Sequence, residues 1–531
     1  MASLHLLSRL CVIMLLAAPF ATAQTSPIID LGYAQYQGAV NTANNITHFL
    51  GIRYAAAPLG DLRFRAPQPP INMTGVQPAT AQPNECLQAS TGQSPTNPLE
   101  TRATQIIATE DCLFLNVYYP SNAAGTPPAN LPTLVWIHGG GYIAGAASGS
   151  NGEDIIQQSN RGVVVVLIQY RLGVFGNNVG FLPGAAVKAN GALNAGLRKA
   201  ISFLAILLLI GIIVDQDFAL RWVNQHITKF GGDPAKVTIW GESAGEFGAG
   251  SVLQHVIANG GQTQPQLFRA AITSSTFLPS QYQFNDRIPE MLFSEVVAQT
   301  NCTAATDSLA CLRAVDATTL ETANNNINLG GFFGTFLMVP VVDGTFITQR
   351  PTLSLLQGKV NGKALFTRWT FSPTSAPPQA NTVGSLYANL GNELFQVDAV
   401  QGESIFICPT YYLLDAFPGR SFKGEFAIPP GLHGNDVAYY FPGGVAPPFN
   451  NTAFINAFAQ SFTSFIINLD PNIKVDPTTI TPHWNTFNVL NTEMLFNKTA
   501  AGAPVVQPIT TSNALLQRCS FWNSVGNLTG Q

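Results

Sequence analysis

The sequence predicts an α/β fold with a large, mostly parallel central sheet flanked by helices, and three observations carry that expectation. First, segments 132–137 and 162–170 are almost continuously apolar, the second through Val163-Val164-Val165-Val166-Leu167-Ile168. Such β-branched runs suit strands covered on both faces, as in a parallel sheet. Second, segment 218–230 switches to helical periodicity, with Ala219, Trp222, Val223 and Ile227 on one stripe. Strands alternating with helices build α/β units. Third, Val237-Thr238-Ile239-Trp240 runs straight into Gly241-Glu242-Ser243-Ala244-Gly245, a strand breaking into a tight turn ahead of a helix.

Taken in order, the chain of 531 residues opens with Arg9, an apolar run at 10–16 and Ala21-Thr22-Ala23. This reads as a secretory leader over 1–23, cleaved after Ala23, followed by one large domain over 24–531. Secretion agrees with six Asn-x-Ser/Thr sequons, at Asn45, Asn72, Asn301, Asn450, Asn497 and Asn527. It agrees also with six cysteines beyond the leader: Cys86, Cys112, Cys302, Cys311, Cys408 and Cys519. An even set in a secreted chain favours disulfides, whose connectivity the count leaves open; sequence order suggests 86–112, 302–311 and 408–519. The cysteines lack zinc-finger spacing, and no metal site is expected.

Only 10% of residues are charged and the net charge is −4, which points away from nucleic-acid partners. A β-rich stretch around 49–64 is followed by a Pro/Asn/Thr-rich loop to about 108. Strands are expected at 113–119, 132–137 and 162–170. The apolar run at 201–214 has 14 residues, short of the ~20 of a membrane span, so no stable span is expected. The C-terminal half reads as more loop-rich.

The chemistry centres on Ser243. Glycine two positions before and after lets the chain reverse while holding the hydroxyl clear of the backbone. A serine needs a base, an orienting acid and an oxyanion hole. His138-Gly139-Gly140-Gly141 follows the strand ending at Ile137, and its consecutive glycines free backbone N–H groups. Gly140, Gly141 and the N–H of Ala244 are the expected oxyanion donors. Among seven histidines, His433 in Gly431-Leu432-His433-Gly434-Asn435-Asp436 is the expected base. It lies after the serine and between loop glycines, which sets it above His255 and His483. This chemistry requires no metal or organic cofactor.

With these residues in place, the chain resembles the type-B carboxylesterases and lipases, the cholinesterase-like branch of the α/β-hydrolases, most of all secreted fungal members. The resemblance rests on Gly51-Ile52-Arg53-Tyr54-Ala55 with Leu62-Arg63-Phe64, on Glu110-Asp111-Cys112-Leu113-Phe114-Leu115-Asn116-Val117, and on His138 with the glycines after it. Phe230-Gly231-Gly232-Asp233-Pro234, the Ser243 pentapeptide and the His433 segment complete it. It implies hydrolysis of small-molecule or lipid esters through an acyl-enzyme, with Ser243 as nucleophile and His433 as base, and disulfides like those above. In lipases of this family the loop closed by the first disulfide forms a lid. Here that loop is short and polar, which leans toward an esterase with possible lipid-interface contact.

Three departures stand out. Residues 198–214 interrupt a stretch that the family runs through unbroken. Glu246-Phe247-Gly248 appears as an addition behind the nucleophile. The acid that the family places about thirty residues beyond Pro340-Val341-Val342-Asp343-Gly344 projects to 371–374, where the sequence has Phe371-Ser372-Pro373-Thr374. The acid is therefore unassigned, with Glu393 and Asp398 as alternatives from nearby sequence. The changes are abrupt, with family-like sequence on both sides. A retained intron and a shifted frame after 367 would produce them, and a transcript read decides it. An impaired or inactive binding or adhesion protein on the same scaffold is the competing expectation.

Overall fold

The computed structural model describes residues 26–94, 108–175, 182–190, 193, 199–200, 212–213, 215–243, 249–332, 334–369 and 380–531. The expected leader, Ala244, Glu246-Phe247-Gly248 and 371–374 lie outside the described residues, as does most of 198–214. Within that last stretch, Lys199–Ala200 pairs antiparallel with Ile212–Ile213.

Eleven strands form the central sheet. In chain order they are β1 (Ala39–Asn41), β2 (Ile46–Arg53), β3 (Phe114–Pro120), β4 (Leu131–Ile137), β5 (Val164–Ile168), β6 (Gly232–Glu242), β7 (Ala270–Ser274), β8 (Ala364–Trp369), β9 (Ser421–Phe426), β10 (Thr492–Lys498) and β11 (Pro504–Thr510). Their order across the sheet is β11-β10-β9-β8-β7-β6-β4-β5-β3-β2-β1. The seven strands from β10 to β5 are mutually parallel. Antiparallel pairs finish both ends.

The parallel strands are buried on both faces, and the side-chain period of two divides their residues between two cores. In β4, Leu134 and Trp136 face one core, while Val135 and Ile137 face the other. In β5, Val165 and Leu167 oppose Val164, Val166 and Ile168 in the same way. This is why both runs lack polar interruptions.

Helices supply the two outer layers. They include α1 (Gly152–Gln158), α2 (Asp215–His226), α3 (Ala249–Ile257), α4 (Glu393–Gly402), α5 (Cys408–Asp415), α6 (Val437–Tyr440), α7 (Thr452–Asn468) and α8 (Asn513–Ser524). Helix α7 places Phe454, Phe458, Phe462 and Phe465 in one core, spaced so that they share a stripe. Phe462 stacks on Trp240 of β6, ring centroids 4.9 Å apart. Helices α2 and α3 bury Leu220, Val223, Val252 and Val256 in the opposite core. Disulfides join Cys86 to Cys112, Cys302 to Cys311 and Cys408 to Cys519. The last ties α5 to α8.

Candidate active site

The sheet register brings the functional segments together. Gly241 of β6 lies opposite Ile137 of β4, and Glu242 lies opposite Ser274 of β7. The His138 glycine turn, Ser243 and Ser275 therefore leave the carboxyl edge of the sheet side by side, where open α/β sheets place their ligands. Ser243 is buried and holds φ at +52°. This left-handed conformation is costly for a residue with a Cβ. Its N–H donates to Ser274 O at 2.7 Å, and its carbonyl accepts from Gly250 N at 3.0 Å, so the strained turn is fastened on both sides.

His433 enters from the loop after β9. Gly431 and Gly434, with φ of +68° and +81°, turn the chain on either side of it. Its Nε2 lies 2.5 Å from Ser243 Oγ. Burial, followed by the positive charge of Arg368, pushes its pKa down to about 3, so the imidazole is neutral and able to accept a proton. The Phe406 ring packs on it, centroids 4.8 Å apart, from a single π-turn, Glu403–Ile407, inserted between α4 and α5. Such turns often mark functional sites. Glu403 anchors this turn, accepting from Arg518 Nε and Nη2 at 2.7 and 2.6 Å and from Tyr387 Oη at 2.6 Å.

The other histidines lie elsewhere. His255 is buried in α3 with Nε2 3.1 Å from Gln216 Oε1, and His483 is exposed. Of the two alternative acids, Glu393 is exposed at the start of α4 and Asp398 is partly exposed further along the same helix. Neither meets His433. Among the described residues, the carboxylate within 4.0 Å of His433 is the buried Glu242, whose Oε1 lies 3.7 Å from Nε2. Sequence reading gave Glu242 no role, although it sits inside the serine pentapeptide.

The glycine turn is tightly built. Ile143 N and Ala144 N both donate to Gly140 O at 2.8 Å. A Cβ on Gly140 would overlap the Ala144 carbonyl, and one on Gly141 would overlap the Phe336 ring. His138 stacks on Tyr170 with centroids 4.5 Å apart, and Tyr170 Oη donates to His138 O at 2.5 Å, fixing the base of the turn. Gly140→Ala is expected to displace the turn and lower kcat by about 10²–10³-fold, the range for losing one oxyanion donor. Steady-state kinetics on a soluble ester check this, with KM changing far less.

The sequence pattern of the carboxylesterase family matches residues 25–197 and 211–368. The chain belongs to the carboxylesterase family. Carboxylesterase patB of Aspergillus clavatus is 28% identical to it, the alignment covering 96% of this chain and 99% of that protein. Secreted lipase 1 of Botryotinia fuckeliana is 34% identical over 58% of this chain and 53% of its own length. The crystal structure of Aspergillus niger EstA superposes with a TM-score of 0.78 at 28% identity, covering 96% of this chain and 99% of that one. The protein is thus a carboxylic ester hydrolase of the type-B carboxylesterase and lipase group, with the α/β-hydrolase fold. The family match skips 198–210 and stops at 368, at two of the three departures read from the sequence.

Proposed function

We propose that this protein is a secreted carboxylesterase that works through an acyl-enzyme on Ser243, with one hydrolase domain spanning 24–531. The observation that carries the mechanism is the 2.5 Å contact between Ser243 Oγ and His433 Nε2. Ser243 Oγ attacks the ester carbonyl as His433 Nε2 takes its proton. The oxyanion forms against the N–H groups of Gly140, Gly141 and Ala244. Collapse expels the alcohol, which leaves with the proton from His433. Water then repeats the sequence on the acyl-enzyme, with His433 again as base. Glu242 approaches Nε2, the nitrogen that meets Ser243, at 3.7 Å and is therefore not placed as an orienting acid on Nδ1.

Secretion is supported by the sequons, by the three disulfides and by the secreted lipase among the relatives. Small-molecule esters are the proposed substrates. No helix among the described residues is long and apolar enough to cross a membrane.

Incubation with an organophosphonate, followed by peptide mass analysis, tests the mechanism. The adduct is expected on Ser243. An unmodified Ser243 in folded protein would overturn the reading in favour of an inactive scaffold. Rate measured through the solubility limit of the ester separates esterase from lipase, and an esterase shows no jump there.

A further inference from the structure

Behind the Ser243–His433 pair lies a buried polar cluster with no part in the proton transfers above. Its hub is Tyr440 Oη, which donates to Asp436 Oδ2 at 2.8 Å and accepts from Arg368 Nε at 3.0 Å. It also lies 3.0 Å from Ser274 Oγ, which in turn accepts from Trp240 Nε1 at 3.1 Å. Arg368 Nη2 pairs directly with Asp436. The side chains of Arg368 and Asp436 are both 0% exposed.

Donor arithmetic gives the bonds around Tyr440 a direction. A phenol has one hydrogen to give and two lone pairs. Tyr440 gives its hydrogen to Asp436 and accepts from Arg368 and from the Ser274 hydroxyl, whose own lone pair is taken by Trp240. The donors around Tyr440 thus run toward Asp436, which pairs with Arg368.

The cluster spans four parts of the fold, with Trp240 on β6. Ser274 ends β7, Arg368 lies near the end of β8, and Asp436 and Tyr440 follow His433. Two backbone bonds extend it: Ser243 N donates to Ser274 O at 2.7 Å, and Ser275 N donates to Arg368 O at 2.5 Å. An unbroken series of contacts therefore leads from the backbone of the nucleophile to Asp436, three residues beyond the base.

We propose that Tyr440, Arg368 and Asp436 are positioning residues whose buried truss holds the His433 loop against the strand ends and keeps Nε2 within bonding reach of Ser243 Oγ. This rests on Ser243 and His433 being nucleophile and base. Only Gly434 and Asn435 separate His433 from the anchored Asp436, which limits how far the imidazole drifts. A misplacement of about 1 Å costs on the order of 10²-fold in rate.

The charged groups that act on His433 are Glu242 from β6, 3.7 Å from Nε2, and Arg368 from β8; Asp436 and Tyr440, from its own loop and helix, bind Arg368. Arg368 is the cation among them and opposes protonation of the imidazole.

Tyr440→Phe is the primary test, because it removes one hydroxyl and no charge. Active sites are counted by phosphonate titration, so that misfolded protein drops out. The expected result is kcat per titrated site lower by about 10–100-fold, KM for a soluble short-chain ester within about twofold, and phosphonate labelling slowed in proportion. Arg368→Met is expected to move the acid limb of kcat/KM to higher pH, because it removes a cation that, after burial, opposes protonation of His433. Arg368→Lys, which retains that cation, is expected to leave the limb in place. Wild-type kcat per titrated site and labelling rate in Tyr440→Phe would overturn the truss while leaving Ser243 and His433 in their roles. A wild-type protein that hydrolyses no ester and takes no label on Ser243 would overturn both.

Discussion

Ser243→Ala and His433→Ala are each expected to reduce ester turnover to the same floor, and the double variant to go no lower. In the proposed mechanism the two side chains act as one unit across a 2.5 Å contact, so removing either is expected to disable the same proton transfer. Single knockouts in a complete serine–histidine–acid system cost about six decades in kcat, and loss of the acid alone costs about four. The size of the drop is therefore diagnostic. About six decades means that an acid serves His433 Nδ1. About two decades means that the enzyme runs on a serine and a base with no acid at Nδ1. Single-turnover kinetics on wild type and the two variants give this number, and unequal floors would show that Ser243 and His433 do not act together.

Acid is expected to destabilise the fold steeply between pH 6.5 and pH 4. Burial lowers the pKa of His138 to about 4 and of His255 and His433 to about 3, against about 6.5 in an unfolded chain. In that window the unfolded chain binds protons that the folded one does not, so stability falls as pH falls. At pH 5 each histidine contributes a loss of about 2 kcal/mol, and the three together rival the whole stability of an ordinary domain. His226, also lowered to about 4 by burial, acts in the same direction. Asp154 opposes them. Its pKa is raised to about 6, chiefly by burial, so it destabilises the fold above the ordinary aspartate value and gives some stability back as pH falls through 6. Glu321, Asp398, Asp415 and Glu425, also raised chiefly by burial, act with Asp154, and the expected net loss requires the four imidazoles to outweigh them. Urea midpoints at pH 7 and pH 5 check this, and an equal or higher midpoint at pH 5 would contradict it.

The sequence made the centre of the sheet legible because burial on both faces leaves an unmistakable run, as in β4 and β5. The turn at Ser243 was legible because its geometry demands glycine at fixed offsets. The C-terminal half was not, for a physical reason visible in β9. Its residues Ser421-Phe422-Lys423-Gly424-Glu425-Phe426 look like a solvated segment, yet Lys423 is buried because Glu493 of β10 meets its Nζ at 2.7 Å. A pairing between strands seventy positions apart leaves no local trace.

The same holds at the site. Arg368 looks misplaced in an apolar strand until Asp436 and Tyr440, sixty-eight and seventy-two residues later, are seen to receive it. Glu242 lay in plain view, but its proximity to His433 is created by the sheet edge and the β9 loop, not by spacing along the chain.

The backbone at Ser243 has a consequence for how such a protein evolves. A non-glycine residue held at φ +52° carries on the order of 1–2 kcal/mol of strain that glycine would not. Ser243→Gly thus gives a sturdier molecule that hydrolyses nothing. A library of variants screened only for heat resistance or yield should drift toward glycine at this position, and one screened for ester turnover should hold serine against that pull. The proposed nucleophile is the residue that folding alone would discard.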